Sequence, residues 1–415
     1  MVGMSGDSRS RNWVIWGVAG VTAVWLGLSS AAAVTKTLRP SVALSLPVSN
    51  GFAYEARAAQ ASIAGDTPLQ RVRITAAQRD DAKAALRREP LASTALTIAG
   101  LDRAQQGDGD AATKLIARAN QVDKRQLIAN AWLINHYGTA GRDKKVLALL
   151  DEALKVRPEL SGRYMPAFAQ ALGNTETVNI LYELLRRRPT WRADFWQAVS
   201  SNPAALSNAQ VLRSRLLKAG EPLGPVDSLL MQAFIGAKRL DLAFRYAGNL
   251  PDLHDDSGNL IRNGSFDELP RLAPLDWELK SDGRVGAAID EGRGTLEINA
   301  IAGASATAAR QLVALQPGNY ILFAKLGQAS LTRGSEVVVH LVCAEENAAN
   351  AARLDVTVTG DVEQSFTVPA GSTCRYYWVN LEFSALNATG PSLASIAELR
   401  IVPGRLKDQT PSANF

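Results

Sequence analysis

Residues 127–158, LIANAWLINHYGTAGRDKKVLALLDEALKVRP, read as two amphipathic helices joined at a glycine and closed by a proline. Apolar residues recur at helical spacing in each half, at Leu127, Ala131 and Ile134 and again at Leu147, Leu150 and Leu154. The pattern repeats one step upstream. Gly107 and Gly141 are 34 residues apart, as are Leu115 and Leu149, Ile116 and Leu150, and Ala119 and Ala153; Pro90, Lys124 and Pro158 keep the same step. A fixed period of this length marks stacked helical hairpins, each burying its apolar face on its neighbours. Downstream the spacing loosens: Pro158 and Pro189 are 31 apart, and helices expected near 191–200, 207–219, 226–236 and 238–248 match only as pairs.

This stretch resembles the tetratricopeptide repeats. Leu133, Tyr137, Gly141, Ala153 and Pro158 fall on that family's signature places in one unit, and Gly100, Gly107, Ala112 and Ala119 do so in the unit before it. Small residues let paired helices approach, glycines supply the turn between them, and prolines end the second helix. The resemblance implies an all-α solenoid over residues 52–250 whose concave face takes a protein partner. Arg186, Arg187 and Arg188, with Arg192 nearby, form the densest basic run. They are candidates for an acidic partner, set against the alternative of a solvated helix C-terminus favoured by the helix dipole. Trp191, Phe195 and Trp196 sit at helical spacing and are expected in the core.

Upstream, Asn12 to Thr35 is a run of 24 residues without a charge, carrying Trp13, Trp16 and Trp25. About 20 such residues cross a bilayer core of roughly 30 Å. Residues 12–35 are expected to be a transmembrane anchor, with a cleaved signal peptide as the rival reading: Arg9 and Arg11 would form its basic region and Ser30 to Ala33 its small-residue cleavage site. Either way the remainder is exported, and nucleic acid is not expected as a partner.

Downstream the texture changes at Pro251 to Gly258, where turn residues cluster and helical periodicity stops. Alternating or β-branched runs follow at 285–289, 295–299, 320–326, 336–343, 354–359, 364–368, 376–383 and 398–402, punctuated by Gly, Pro, Asn and Ser. This spacing predicts an antiparallel β-sandwich over residues 255–405. Charge divides at the same place, with 32 Lys and Arg against 20 Asp and Glu in residues 1–250, and 13 against 20 afterwards.

Two motifs carry a resemblance here. Asn259 to Glu268 followed by Trp277, and Leu315-Gln316-Pro317-Gly318-Asn319-Tyr320 entering a strand, look like the opening and the central turn of jelly-roll carbohydrate-binding modules. The resemblance implies a jelly roll and a glycan ligand. It also implies a structural calcium held by acidic groups of the first motif and the last strand; here Asp267 and Glu268 stand early but only Glu398 stands late, so no cofactor is expected. A pyranose has an apolar face and a polar rim, which aromatic rings with neighbouring amides can match. Tyr376, Trp378, Asn380 and Trp277 are the candidates, with Tyr377 on the opposite strand face. Cys343 and Cys374 are expected to form a disulfide in an oxidising compartment, the alternative being two buried thiols.

The 415 residues include only 3 His and 2 Cys, and neither has metal-ligand spacing. No nucleophile elbow, zinc-protease helix, phosphate-binding loop or dinucleotide glycine signature occurs. The acidic pairs Asp255-Asp256, Asp267-Glu268 and Glu345-Glu346 read as turns or solvated edges, so no enzyme is expected. Anchor, solenoid and sandwich together resemble bacterial envelope proteins of exopolysaccharide assembly. That likeness implies a single-pass inner-membrane protein with its bulk in the periplasm, an adaptor whose solenoid holds a protein and whose sandwich contacts glycan or protein. The alternative is a structural scaffold or assembly factor with no sugar contact.

Overall fold

Helices and strands occupy separate stretches of the chain in the computed structural model, which describes residues 7–48, 50–62, 73–250, 258–345, 350–356 and 361–404. Two compact units emerge, residues 1–168 with 183–192 and residues 169–182 with 193–415. The expected boundary at 252–258 therefore separates helix from strand but not unit from unit, and residues 252–257, with Asp255 and Asp256, lie outside the described residues. The helices after residue 193 fall in the same unit as the β-sandwich, and one of them meets it through Phe244, whose ring stacks on Tyr376 at 4.9 Å.

In the first unit, α1 (Asp7–Thr35) is followed by α2 (Pro40–Ser45), α3 (Gly51–Ser62) and α4 (Ala76–Arg88). Two hairpins then succeed one another, α5 (Ser93–Gln105) with α6 (Gly109–Val122) and α7 (Leu127–Thr139) with α8 (Asp143–Val156). Corresponding helices begin 34 residues apart, at Ser93 and Leu127 and at Gly109 and Asp143. The joining glycines adopt left-handed backbone, φ +83° at Gly107 and +64° at Gly141, which a side chain would strain. Asp108 then caps α6, its carboxylate accepting from Ala111 N at 3.0 Å. At Gly100 a Cβ would lie 2.4 Å from Ile116 Cγ1, so the close approach of α5 and α6 requires glycine there. Pro158 opens a short 3-10 turn immediately beyond α8. Trp191 is buried, donates from Nε1 to Asp151 Oδ1 at 3.0 Å and packs on Phe168.

Two further helices, α9 (Ser161–Ala171) and α10 (Thr177–Leu185), lead to α11 (Arg192–Ser200), α12 (Leu206–Lys218), α13 (Pro225–Gly236) and α14 (Leu240–Ala247). Phe195 and Trp196 are fully buried. The last three helices close around one cation. Arg213, 2% exposed, donates to both carboxylate oxygens of Asp227 at 2.7 and 2.8 Å, to Glu221 Oε2 at 2.5 Å and to Pro222 O at 2.8 Å. The Tyr246 hydroxyl donates to Asp227 as well. Burial opposes the charge on Arg213, but the bonds and charge of Asp227 outweigh it and the guanidinium pKa is raised. Burial, reinforced by Asp227, also pushes the Tyr246 phenol well above its ordinary value.

Among the described residues ten strands form two five-stranded antiparallel sheets. They are β1 (Glu278–Leu279), β2 (Val285–Asp290), β3 (Thr295–Ala300), β4 (Ser305–Ala314), β5 (Gly318–Ser330), β6 (Glu336–Cys343), β7 (Asn350–Asp355), β8 (Asp361–Val368), β9 (Tyr376–Ser384) and β10 (Ser392–Pro403). The first sheet runs β1-β4-β9-β6-β7 and the second β2-β3-β10-β5-β8. Their facing sides share one core, including Trp277, Leu296, Leu322, Val339, Leu381, Phe383 and Ile401. Both sequence motifs have structural work. Asn259 Oδ1 accepts from Ile261 N and from Ile401 N, each at 3.0 Å, tying the domain's opening to β10. The Tyr320 hydroxyl donates to Gln316 O at 2.7 Å, closing the Pro317-Gly318 turn into β5.

Three strands depart from expectation, the two-residue β1 lying outside every expected run. β7 covers 350–355 rather than 354–359, of which 357–359 lie outside the described residues. β4 was not foreseen at all: SATAARQLVA is alanine-rich and lacks a β-branched run, yet Ala308 and Ala309 are fully buried where the sheets meet.

Two measurements test this packing. Asp227→Ala leaves the Arg213 charge buried beside a lost partner and is expected to cost about 3–5 kcal/mol in urea unfolding; Tyr246→Phe removes one neutral donor and is expected to cost about 1–2 kcal/mol. Equal losses would show that Arg213 is not the centre of the cluster. In the first unit, Arg79 grips Asp102 with bonds of 2.7 to 2.9 Å, and this hydrogen bonding outweighs burial to hold the Asp102 carboxyl below its usual range. Its stabilisation is complete above the unfolded value of about 4 and is lost as pH falls through the lower native value. Asp102→Asn is therefore expected to lower stability at pH 7 and to leave a shallower loss between pH 7 and pH 3 than the parent shows.

Candidate functional site

Strand β9 alternates strictly. Tyr377, Val379, Leu381 and Phe383 point into the core, and Tyr376, Trp378, Asn380 and Glu382 lie on the outward face, half-buried. Because β9 is paired on both sides, its register aligns outward residues of all five strands. Asn380 stands opposite Arg310 of β4 and His340 of β6; Arg310 stands opposite Glu278 of β1, and His340 opposite Arg353 of β7. One row thus crosses the sheet as Arg353, His340, Asn380, Arg310 and Glu278.

Arg310 is paired within the row and His340 with a neighbour outside it. Arg310 donates to both Glu278 oxygens, at 2.7 and 3.1 Å, while its guanidinium lies 4.5 Å from the centre of the Trp378 ring. This cation–π contact occupies one indole face. His340 Nε2 lies 3.2 Å from Glu382 Oε2. An aromatic plate thus borders amide, carboxylate, guanidinium and imidazole groups. Such a surface can stack on an apolar ring face and hydrogen-bond to hydroxyls around it.

The expected residues separate here. Trp378 and Asn380 lie together on this face. Trp277 does not: it is 1% exposed, its Nε1 donates to Asn263 O at 3.0 Å and its ring packs on Phe266, so it is a core residue closed to any sugar. Tyr376 is on the outward face but its ring stacks on Phe244 of α14. Burial there, with Asp241 nearby, raises the Tyr376 phenol pKa despite the opposing charge of Arg375. Arg310, His340, Glu278 and Arg353 were not foreseen, since only strand register brings them beside Trp378.

Cys343 and Cys374 are disulfide-bonded, with Cα atoms 5.9 Å apart. The bridge joins the end of β6 to the approach of β9, and Ala344 N donates to Tyr376 O at 2.8 Å beside it. Asp267 and Glu268 are exposed; Glu268 pairs with Arg271 at 3.4 Å and Glu398 with Arg400 at 2.9 Å. Two of the three carboxylates considered for calcium are thus engaged by guanidinium groups. Among the described residues, the one cluster of three His, Cys, Asp or Glu ligand atoms is Cys343, Glu345 and Cys374, whose sulfurs are bonded to each other. Glu346 lies outside the described residues. In the first unit, Arg186, Arg187 and Arg188 are exposed just past the end of α10, Arg186 lies 3.7 Å from Glu183, and Arg192 is half-buried.

The β region is similar to solved carbohydrate-binding modules. A module of family 4 shares 18% identity over 35% of this chain and 99% of its own, with a TM-score of 0.26. A family 61 module in complex with β-1,4-galactotriose shares 12% over 36% of this chain and 100% of its own, with a TM-score of 0.25. A family 16 module shares 21% over 35% and 99%, with a TM-score of 0.25. No protein-family model matches the sequence, and no curated protein matches it.

Replacing both Cys343 and Cys374 by Ser is expected to cost about 3–4 kcal/mol by the chain-entropy account for a loop of this size. The loss should appear in chemical unfolding without reductant, and reductant should produce the same loss in the parent.

Proposed function

We propose that the protein works by binding rather than catalysis: the outward face of the first sheet takes a glycan chain, the helical hairpins dock a protein partner, and α1 holds both at a membrane. The observation that carries the glycan reading is the row of polar and charged groups across five strands beside the half-buried ring of Trp378. A pyranose stacked on the indole would place its hydroxyls within reach of Asn380 and the Arg310–Glu278 pair. The alternating core side of the same strands leaves no second face for this role.

Among the described residues one helix is long and apolar enough to cross a membrane, by length and composition. Ala32, in the middle of the would-be cleavage site, is 1% exposed, and α1 runs unbroken to Thr35. The length of the charge-free run and its Trp13, Trp16 and Trp25, a residue type suited to the membrane interface, support retention of α1 as an anchor. The reading is thus of a single-pass bacterial inner-membrane protein with its bulk in the periplasm. Its solenoid, of tetratricopeptide type, would hold a component of polysaccharide or envelope assembly while the sandwich holds the polymer.

Titrating the full chain with neutral and acidic polysaccharides, read by tryptophan fluorescence, tests the proposal. Saturable binding is expected, with Trp378→Ala weakening it by about 1–3 kcal/mol, as for stacked aromatic contacts, and Asn380→Ala by about 1 kcal/mol. A folded protein that binds none of the polymers would overturn the glycan role and leave a structural scaffold. Hydrolysis assays on the same polymers are expected to show no product.

A further inference from the structure

We propose that the apolar tip formed by Leu46, Pro47 and Val48 enters the headgroup layer of the bilayer that α1 crosses, giving the chain a second contact with lipid. This rests on α1 being a retained anchor.

The 29 residues of α1 rise about 43 Å, against a hydrocarbon core of roughly 30 Å. Several turns must therefore lie outside the core, and burial identifies them. Trp16 and every residue from Val18 to Gly27 are exposed, whereas Leu28, Ser29, Ala32 and Thr35 are covered by the chain itself. Asn12 to Leu28 is charge-free and reaches the lower end of the roughly 17–25 residues a crossing needs. From Leu28 onward one face of the helix, that of Leu28, Ser29, Ala32 and Thr35, packs on protein, while Ser30, Ala31, Ala33 and Val34 stay exposed.

Beyond the turn at 36–39 the chain runs back along α1. Pro47 and Val48 share an apolar groove with Val21, Val24, Trp25 and Leu28. The chain then returns: Asn50 Nδ2 donates to Ala32 O at 3.4 Å, and Gln60 Nε2 to Thr37 O at 3.4 Å. The tip at 46–48 is therefore level with the exposed turns of α1, while the segments flanking it lie beside the covered turns.

Its chemistry suits an interface. No charged residue occurs from Pro40 to Tyr54. Val42 and Pro47 are exposed, and Leu46 and Val48 half-buried. Residues 46–48 are not helical, and unpaired backbone groups are excluded from hydrocarbon. Headgroup water can satisfy them there while apolar side chains sink roughly 5–10 Å. Trp25, 58% exposed at the same level, is the residue type that favours this layer. Continuity with the crossing helix and absence of charge make lipid, rather than a protein, the occupant.

Spin labels on Val21→Cys, Val48→Cys and Glu159→Cys in the full chain test this in phosphatidylethanolamine and phosphatidylglycerol vesicles, with the native disulfide left oxidised. Collision rates with oxygen and with a water-soluble nickel chelate report depth. The Val48 label is expected to meet nickel severalfold less often than the Glu159 label and to approach the Val21 label in oxygen contact. Pro47→Cys, at an exposed position, provides a second reading if Val48→Cys folds poorly. Nickel access at 47 and 48 equal to that at 159, with 21 protected, would overturn the second contact while leaving the anchor intact. Nickel access at 21 would overturn the anchor and this inference with it.

Discussion

Strand β9 lies at the centre of its sheet, hydrogen-bonded to β4 on one side and β6 on the other, and its register is the constraint on which the sandwich depends. A slip of one residue would turn Tyr377, Val379, Leu381 and Phe383 out to solvent and drive Asn380 and Glu382 into the core. Burying these polar side chains without partners would cost several kcal/mol, so the apolar alternation fixes the pairing. Once it is fixed, the outward face follows. Arg310, His340, Glu278 and Arg353 fall into line with Asn380, and Arg310 comes over Trp378, because each neighbouring strand has one register that buries its own apolar side. The site is thus a by-product of core packing, held by the Cys343–Cys374 bridge at one end.

The helices obey a different constraint. Around α12, α13 and α14 a buried guanidinium must satisfy its donors, and Asp227, Glu221 and Pro222 O do so from a loop and a neighbouring helix. Such a cluster fixes geometry more than it adds stability, since desolvation offsets most of the attraction. It orients α14, whose Phe244 lies on Tyr376. The consequence reaches the sheet: one aromatic of the outward face, Tyr376, is taken by a helix, while Trp378 carries Arg310.

Much of this was legible in the sequence. The 34-residue step placed two hairpins, with glycines at their turns, because left-handed backbone and close helix approach admit few other residues. The motifs at 259–268 and 315–320 announced a sandwich, and the alternation in 376–383 told Tyr377 from its neighbours. What escaped was β4, where alanines give neither helical periodicity nor a β-branched run, and with it Arg310. Trp277 was misassigned since a tryptophan's burial depends on what folds over it. The change of texture near 252–258 was read as a break between bodies, yet helices after 193 share a unit with the sandwich.

The sequence by itself determined the element types and their local signals: an apolar helix, paired helices at a fixed period, alternating strands, and two cysteines 31 positions apart. Period and turn chemistry are local properties, carried by residues within a few positions of one another. Only the tertiary structure decided which residues share a surface. Arg310 and Trp378 are 68 positions apart, Phe244 and Tyr376 are 132 apart, and one face of α1 from Leu28 to Thr35 is covered by chain that follows it. Those adjacencies are set by strand register and helix packing, which depend on the whole core being filled at once.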